Sequence, residues 1–517
     1  FIFINNLVNF YIYALKNLEV YINMDTKKHI TDVGIAIAGA VDSGKSSFIG
    51  VLTSGNLDNG RGLARNLVAK HPHEIKSGQT SDISIKILES KYNAVTFIDL
   101  CGHDKYLKTT AKGISGHFPD YGCIVISPQR GVMDMTQQHY KMLISHNIPI
   151  FFVITRIDVA MEKSYKLLIE NLTKLCKRTG GQKIDLINTY DSYYEYKNEK
   201  ITIEEFDLQK KNNIDKVINH MNLNNNGKQN IIPVITISNV NGYYTDVTKN
   251  IILNLKPRDL WSQNQVNNRV IKAFNNKLNL DKDIFKSNFD GSIFYIDTSF
   301  NKKGIGFVAS GILRGKSINI DDNLLFGPFG KEFFEIKAKS IHNNFKEDIK
   351  VIDDHCRGCI ALSFKDKKFL SLKKNSFGKG VVLITKNLLN FMCYRFKAAI
   401  LVFSDKSITI KPGYSPVIHL GTIQQSARVL DNEFYKVFDD NEEKKISKKI
   451  LGPGSIDTMW FKFLIKPQII EKGNLFTFRS GHIHGVGLII DTMPINIDPD
   501  PNPDSHKKKY CRYVKNY

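Results

Sequence analysis

One stretch near residue 40 has the residue types and spacing of a phosphate-binding loop. Residues 39–46 read GAVDSGKS and fit the pattern G-x-x-x-x-G-K-[ST]. The apolar run 33–38 precedes the motif and a helical pattern from 45 to 53 follows it, which is the context the motif requires. We expect backbone N–H groups of the loop to surround phosphates, Lys45 to neutralise them and the Ser46 hydroxyl to bind Mg²⁺. The predicted phosphate-binding residues are Gly39, Val41, Asp42, Ser43, Gly44, Lys45, Ser46 and Ser47.

A second polar motif ends the next apolar run, 95–98. It reads D-L-C-G and begins at Asp99. An aspartate at the end of a strand can hold a water of a Mg²⁺ shell, and the N–H of Gly102 can approach a γ-phosphate closely because glycine has no side chain. The pattern D-x-x-G is weak alone, but after a phosphate-binding loop and at a strand end it indicates the γ-phosphate side of a nucleotide site.

Two further strand ends carry residues that would select the base. The tetrapeptide 155–158 follows the run 148–154, and the tripeptide 238–240 follows the run 231–237. The Asp158 carboxylate can accept two hydrogen bonds from the N1 and N2 groups of guanine, whereas adenine presents no such pair of donors. The sequence therefore predicts a site for GTP and GDP with Mg²⁺. The predicted base-binding residues are Thr155, Arg156, Asp158, Ser238, Asn239 and Val240.

The elements between these motifs predict how they are brought together. Helical patterns, such as 136–146 and 164–175, alternate with apolar runs that include 121–126. Alternating strands and helices predict a mostly parallel α/β sheet, and ligands of such sheets bind at the carboxyl ends of the strands. The stretch 178–230 is rich in Lys, Asn, Tyr and Glu and predicts a partly helical surface insertion.

After residue 255 the pattern changes to short alternating runs separated by Gly and Lys-rich turns. Two successive sets of such runs predict two small antiparallel β-barrels. We expect an N-terminal extension 1–29, a GTP-binding domain 30–262 with the insertion 178–230, β-barrel domain II at 288–390, β-barrel domain III at 391–493 and a disordered basic tail 494–517.

Composition leaves the nature of the partner open. The 517 residues are 42% hydrophobic, enough for about three domains, and carry a formal charge of +21. Such a charge suits a polyanion such as RNA, but an A/T-rich coding sequence would also produce this Lys- and Asn-rich chain. Composition alone does not favour either of these two explanations.

Three observations bear on the compartment. Residues 1–23 are apolar but interrupted by polar residues, which predicts neither a membrane helix nor a signal peptide. Met24 begins a polar stretch, so we interpret 1–23 as translated upstream sequence in preference to an amphipathic accessory helix. Seven cysteines without regular spacing indicate a reducing compartment. The C-x-x-C pair Cys356 and Cys359 favours an ordinary turn over a metal site.

The order of the motifs resembles that of the translational GTPases related to elongation factor Tu and elongation factor 1-alpha. A closer resemblance is to the family called GTP-binding protein 1 and GTP-binding protein 2, and it extends from about residue 34 to about 490 except in 178–230. The strings that carry it are 50–65 (GVLTSGNLDNGRGLAR), 73–75 with 77–81, 97–120 (FIDLCGHDKYLKTTAKGISGHFPD), 152–158, 237–242, 306–315 and 479–487 (RSGHIHGVG).

The resemblance implies roles for further residues. Thr80 corresponds to the switch I threonine that coordinates Mg²⁺ only when GTP is bound, and Asp42 to an aspartate found in translation factors. His103 corresponds to the histidine that positions the attacking water once a ribosome engages. We favour this role for His103 over that of an exposed switch-loop residue because it directly follows Gly102. The predicted catalytic residues are His103, Gly102 and Thr80, and the predicted Mg²⁺ ligands are Ser46, Thr80 and Asp99.

The chain departs from the family pattern at four of these positions. Arg156 replaces the usual lysine under the base, but its planar guanidinium can still stack on guanine. Thr155 replaces asparagine and loses an amide contact. Cys101 stands where elongation factors often have proline, and Gln79 is polar where elongation factor Tu has an apolar residue. Gln79 thus puts in doubt a fully apolar gate around the catalytic water.

By resemblance we expect a monomeric, cytoplasmic GTPase switch that acts with ribosomes, tRNA or another RNA and not with a membrane, served by a protein exchange or recruitment factor. Two alternatives stay open. One is a metabolic GTPase of the same architecture, which would co-purify with a nucleotidyltransferase. The other is a GTP-binding adaptor that does not hydrolyse GTP, for which Gln79 and Cys101 are the motivating departures.

Overall fold

The computed structural model describes most of the chain. The described residues are 31–67, 83–90, 93–222, 229–258, 269–285, 289–365, 380–403, 408–430, 450–480 and 482–496. The expected extension 1–29, the switch I residue Thr80 with Gln79, and most of the expected tail 494–517 lie outside these ranges.

The first part of the described chain is a seven-stranded sheet in the order β2-β3-β1-β4-β5-β7-β6. All neighbouring pairs are parallel except β2 and β3, which are antiparallel. The strands are β1 Thr31–Ala38, β2 Ser84–Glu89, β3 Asn93–Asp99, β4 Tyr121–Ile126, β5 Ile150–Ile154, β6 Lys183–Leu186 and β7 Ile231–Thr236. This confirms the predicted α/β class, with one antiparallel edge strand.

Helices connect these strands and surround them. The described helices are α1 Lys45–Ser54, α2 Leu63–Asn66, α3 Leu107–Gly116, α4 Asp134–Ser145, α5 Glu162–Leu175, α6 Tyr190–Lys197, α7 Ile203–Asn222, α8 Thr245–Leu253 and α9 Arg269–Leu278. Every residue of β4 and β5 is buried, because a parallel strand covered on both faces needs a continuous apolar run. These central strands make a rigid base for the loops at their carboxyl ends.

The stretch 178–230 contributes more than the surface insertion we expected. It supplies β6, which pairs in parallel with β7 at the edge of the sheet, and then the helices α6 and α7. The strand sequence KIDL is only partly buried and has no apolar run, so its pattern does not distinguish it from a loop. Its position depends on pairing with a strand more than 40 residues later in the chain.

The second part of the described chain is two closed antiparallel barrels. The first sheet contains β8 Ser292–Lys302, β9 Gly306–Gly315, β11 Asn323–Phe329, β12 Glu332–Asn343, β13 Asp348–Ile349, β15 Arg357–Phe364 and β16 Val382–Ile384; the short pair β10 Ile318–Asn319 and β14 Val351–Ile352 lies apart from it. The second contains β17 Met392–Val402, β18 Val417–Leu420, β19 Ile423–Val429, β20 Ile456–Phe463, β21 Gln468–Ile469, β22 Leu475–Ser480 and β23 His482–Pro494. Pairings of β11 with β12 and of β17 with β20 close the barrels, as the sequence predicts.

Each barrel has its own apolar core, which explains why the alternating pattern identifies it. Phe294, Phe326 and Ile336 lie in the core of the first barrel, and Phe396 and Phe476 in that of the second. No helix within the described ranges is long and apolar enough to cross a membrane. The described residues also contain no group of three or more His, Cys, Asp or Glu side chains arranged for a metal ion.

Candidate nucleotide-binding site

The loop between β1 and α1 is folded as a concave turn by three left-handed residues. Gly39, Asp42 and Gly44 have φ angles of 141°, 60° and 90°. A side chain at Gly39 would place its Cβ 2.2 Å from the carbonyl oxygen of Val125, so only glycine fits against β4. Successive turns of this kind direct backbone N–H groups towards a common point, where an anion can bind.

Lys45 begins α1 and lies inside this loop. Its Nζ donates to the carbonyl oxygens of Gly39 at 3.1 Å and Ala40 at 2.9 Å. The side chain is buried, and burial lowers the pKa of Lys45 while the nearby Asp99 carboxylate opposes that shift. A buried ammonium held against a phosphate-binding loop is positioned to neutralise a phosphate.

Ser46 and Asp99 meet across the loop. The Ser46 Oγ donates to Oδ2 of Asp99 at 2.9 Å, and Asp99 is 1% exposed at the end of β3. Hydroxyl and carboxylate oxygens are the hard donors that Mg²⁺ prefers, and Mg²⁺ usually keeps several waters beside one or two protein ligands. The two side chains therefore fit a Mg²⁺ ion that also binds nucleotide phosphates.

Gly102 closes the same end of the site. A Cβ on Gly102 would lie 2.6 Å from Nζ of Lys45 and 2.9 Å from the carbonyl oxygen of Gly39, so the backbone approaches the phosphate-binding loop as closely as glycine allows. The next residue, His103, is exposed. Its Nδ1 accepts a hydrogen bond from the N–H of Lys105 at 3.1 Å and caps the short 3₁₀ helix Asp104–Tyr106. That bond leaves Nε2 as the ring nitrogen that can reach a water.

Thr155 supports the phosphate-binding loop rather than the base. Its Oγ1 donates to the carbonyl oxygen of Ser43 at 2.8 Å, and the residue is buried against Gly44. The hydroxyl that replaces an amide at this position therefore forms a loop contact that we did not predict. Arg156 follows with a left-handed φ of 59° and an exposed side chain that lines the phosphate cavity.

Asp158 and the 238–241 loop form the part of the site predicted to bind the base. The Ser238 Oγ donates to Oδ1 of Asp158 at 2.6 Å. The same Oγ accepts from the N–H groups of Val240 at 3.2 Å and Asn241 at 3.3 Å. One serine therefore fixes both the carboxylate predicted to select guanine and the loop that follows β7.

Two further contacts hold this loop in place. Asn241 donates through Nδ2 to the Tyr193 hydroxyl at 2.9 Å, and Tyr193 belongs to α6 within the stretch 178–230. On the other side, the N–H of Asp58 donates to the carbonyl oxygen of Asn239 at 2.8 Å. The predicted base-binding loop thus depends on residues from two separate segments.

Sequence reasoning missed two side chains beside the predicted phosphate-binding loop. His139, on α4, accepts a hydrogen bond through Nδ1 from the N–H of Gly39 at 3.0 Å. Burial, with a smaller contribution from the Lys45 charge, lowers the pKa of His139 to about 3, which keeps the ring neutral and able to accept. Arg65, on α2, lines the phosphate cavity. Arg65 lies within the string 50–65 that carries the family resemblance, and this was the one feature of the sequence that could have pointed to it.

These groups surround a cavity of about 60 Å³. Its lining brings together most of the predicted phosphate-side residues, whereas Thr80 lies outside the described residues. A larger cavity of about 870 Å³ lies between the helices of the N-terminal α/β domain and the second barrel, away from every predicted site residue. The residues lining the smaller cavity are Val41, Asp42, Gly44, Lys45, Ser46, Ser47, Arg65, Gly102, His103 and Arg156.

Residues 31–277 match the family of the elongation factor Tu GTP binding domain. GTP-binding protein 1 of Xenopus laevis is 29% identical over 501 residues, which cover 90% of this chain and 65% of the relative. GTP-binding protein 2 of Homo sapiens is 27% identical over 486 residues, covering 90% of this chain and 70% of the relative. This chain therefore spans about two thirds of the length of these relatives.

Solved structures confirm the fold. The crystal structure of a bacterial selenocysteine-specific elongation factor, EF-Sec, superposes with a TM-score of 0.56 at 18% identity, covering 90% of this chain and 59% of that one. The elongation factor SelB of Methanococcus maripaludis, in complex with the GTP analogue GppNHp, superposes with a TM-score of 0.55 at 18% identity, covering 90% of this chain and 80% of that one. Both superpositions extend across the N-terminal α/β domain and the two barrels.

Proposed function

We propose that this chain, whose residues 31–277 form a GTP-binding domain of the elongation factor Tu type, is a molecular switch that binds and hydrolyses GTP. The observation that carries the proposal is that Lys45, Ser46 and Gly102 line one cavity at the carboxyl ends of β1 and β3. Asp99 lies beside it and accepts a hydrogen bond from Ser46. Each of these residues has a part in phosphoryl transfer: neutralising phosphate charge, holding Mg²⁺ or contacting the γ-phosphate.

The base would be guanine, selected by Asp158. Ser46 and Asp99 would hold Mg²⁺, directly or through water, and Mg²⁺ would neutralise charge on the phosphates when bound. His103 would orient the attacking water through Nε2. Since His103 is exposed in the structure, its catalytic position depends on a partner that orders the surrounding loop.

The two barrels would carry the switch to a ribosome or a tRNA in the cytoplasm. The names of the solved neighbours and of the selenocysteine-specific elongation factor of Methanocaldococcus jannaschii, 22% identical over 474 residues, place those proteins among translation elongation factors. The formal charge of +21 on this chain suits an RNA partner.

Sedimentation with ribosomes tests this proposal. The chain should pellet with ribosomes in a non-hydrolysable GTP analogue and remain in the supernatant in GDP. Ribosomes should also accelerate release of phosphate from GTP. Lys45→Ala is the matched control, because it removes the loop ammonium and should abolish both effects. Ribosome binding without hydrolysis would favour an adaptor, and hydrolysis without any ribosome or RNA dependence would favour a metabolic GTPase.

A further inference from the structure

Arg65 lines the cavity beside the phosphate-binding loop, and none of the roles predicted from the sequence belongs to it. It shares the cavity with Lys45, Gly102 and His103, at the end where the γ-phosphate of GTP would lie. Its side chain is half-buried, and its Nε is fully buried without a hydrogen-bond partner among the described residues. Among the described residues that line the cavity, Lys45, Arg65 and Arg156 are cationic. The one carboxylate in that lining, Asp42, forms an ion pair with Arg130 at 2.6 Å, so the lining has a net positive charge that suits an anion.

The backbone around Arg65 is fixed from two sides. The helix α2 packs directly on α1, where a Cβ on Gly50 would lie 2.1 Å from the carbonyl oxygen of Ala64. The N–H of Ala64 donates to Oδ1 of Asp58 at 3.0 Å, and Asp58 is bonded in turn to the predicted base-binding loop. These contacts fix the backbone from which the Arg65 side chain extends into the cavity.

Arg65 and its neighbour Arg61 have different surroundings. Arg61 is exposed and does not line the cavity, although only three residues separate the two positions. No carboxylate among the described residues forms an ion pair with Arg65. The guanidinium stays charged in proteins and presents a planar fork of donors that matches phosphate oxygens.

We propose that Arg65 is a catalytic residue that binds the γ-phosphate and stabilises the transition state of GTP hydrolysis from within the same chain. This inference rests on the proposed function and adds a residue to it. Water forms the new bond to the γ-phosphorus while the bond to the β–γ bridging oxygen breaks, giving GDP and inorganic phosphate. Negative charge spreads over the equatorial and leaving oxygens in that step, and a fixed guanidinium offsets it without exchanging a proton.

The test compares Arg65→Met with Arg61→Met in the full chain. Single-turnover hydrolysis of GTP, with and without ribosomes, should slow about 100-fold or more in Arg65→Met, since an arginine in this role is worth about 10³–10⁵ in rate. Arg61→Met should match the wild type. GDP affinity and the thermal unfolding midpoint should stay unchanged in both variants, which shows that the fold is intact. Arg65→Lys keeps a charge but not the planar fork and should restore only part of the rate.

Binding of aluminium fluoride with GDP gives a second readout, because that complex imitates the transition state. The wild type should form it with ribosomes, and Arg65→Met should not. Equal hydrolysis rates in Arg65→Met and Arg61→Met would overturn the inference, as would an equal loss of GTP and GDP affinity at unchanged rate. If the wild type hydrolyses no GTP with any ribosome, the proposed function fails and this inference fails with it, whereas a normal rate in Arg65→Met refutes the inference alone.

Discussion

At the scale of single residues, one short hydrogen bond from Ser238 positions the Asp158 carboxylate. That bond determines how a substitution of Asp158 would change the binding of the base. Ser238 donates to Oδ1 of Asp158 at 2.6 Å. In Asp158→Asn the amide oxygen can keep this bond, which directs the NH₂ group to the base. That group can donate to the C2 carbonyl of xanthine but cannot accept from the N2 group of guanine.

We therefore expect Asp158→Asn to weaken GTP binding by about 2–4 kcal/mol and to strengthen binding of xanthosine triphosphate. Competitive titration with both nucleotides measures the change in preference. Asp207→Asn, on the exposed side of α7, is the control and should leave both affinities unchanged. Unchanged GTP affinity in Asp158→Asn would remove this residue from the base site.

His103 forms a structural hydrogen bond that an experiment must separate from its proposed catalytic role. Its Nδ1 accepts from the N–H of Lys105 and caps the following turn. Asparagine is also a good N-cap, so His103→Asn keeps the cap and loses the imidazole, whereas His103→Ala loses both.

We expect both variants to bind GTP and GDP with near-normal affinity, because the imidazole acts on the transition state and not on the ground state. Ribosome-stimulated hydrolysis should fall by about 10²–10⁴-fold in each, and the variants should stay on the ribosome with GTP. Stimulated single-turnover rates provide the measurement. A wild-type rate in His103→Asn would show that the residue is only a cap.

The motif positions near the phosphates could be predicted from the sequence because they are local. Lys45 and Ser46 lie within one loop and helix start, and strand ends must meet at one edge of a parallel sheet. His139 could not be predicted in this way, since it reaches Gly39 from 100 positions away. Its contact depends on where α4 packs, which no local pattern specifies.

At the scale of elements, α6 is the helix on which the predicted base-binding loop depends. Tyr193 is 1% exposed on this helix, and its hydroxyl accepts from Nδ2 of Asn241 at 2.9 Å. Asn241 also accepts through Oδ1 from the N–H of Tyr243 at 3.1 Å. Asn241 itself is exposed, so removing the Tyr193 hydroxyl costs its amide one hydrogen bond that water can partly replace, a loss of about 0.5–1.5 kcal/mol.

We therefore expect Tyr193→Phe to weaken GTP and GDP binding by the same factor, about 2- to 10-fold on the scale of one lost hydrogen bond, without slowing hydrolysis of bound GTP. Titration with fluorescent GTP and GDP analogues, followed by single-turnover hydrolysis, measures both effects. Tyr194→Phe is the matched control, because its ring packs on Tyr190 and Tyr193 and not on the loop. Equal affinities in the two variants would contradict a positioning role for α6.

The edge strands are the elements of the first sheet that could not be predicted from the sequence. The buried strands β4 and β5 are continuous apolar runs and could be predicted nearly residue by residue. The edge strands β2 and β6 are partly exposed and mixed in polarity, so they resemble loops until their pairing partners are known.

At the scale of the whole molecule, the segment after α3 connects the candidate site to both barrels. Arg357, in the first barrel, donates to the carbonyl oxygen of His117, and His117 lies 3.4 Å from the Asp297 carboxylate. Gly116 lies against the turn between β18 and β19 of the second barrel, near Thr422. The helix α3 therefore begins just after the loop around His103 and ends against both barrels. Contacts of this kind join residues hundreds of positions apart, which is why the sequence predicts the barrels but not their packing.

The interface between the N-terminal α/β domain and the first barrel contains Asp32, a carboxylate with an unusual environment. Asp32 accepts from the Thr96 hydroxyl at 2.8 Å and, across the interface, from Nδ2 of Asn344 at 2.6 Å. Burial raises the pKa of Asp32 to about 6, although the Arg357 cation opposes the shift. The folded protein therefore holds a proton here that the unfolded chain releases near pH 4, so this group stabilises the fold less as the pH rises through about 6.

Asp32→Asn removes this titration while keeping the contacts, because an amide can accept from Thr96 and the Asn344 amide can turn to pair with it. The unfolding midpoint of Asp32→Asn minus that of the wild type should therefore increase from about pH 4 to about pH 7, with most of the change between about pH 4 and pH 6. The neighbouring groups Asp120 and Arg314 occur in both proteins and largely cancel in the difference. Thermal unfolding of both proteins at closely spaced pH values measures it, and the exposed Asp215→Asn should give a flat difference. A flat difference for Asp32→Asn as well would mean that Asp32 is ionised in the folded protein across this pH range. The interface between the N-terminal α/β domain and the first barrel would then contain a charged carboxylate.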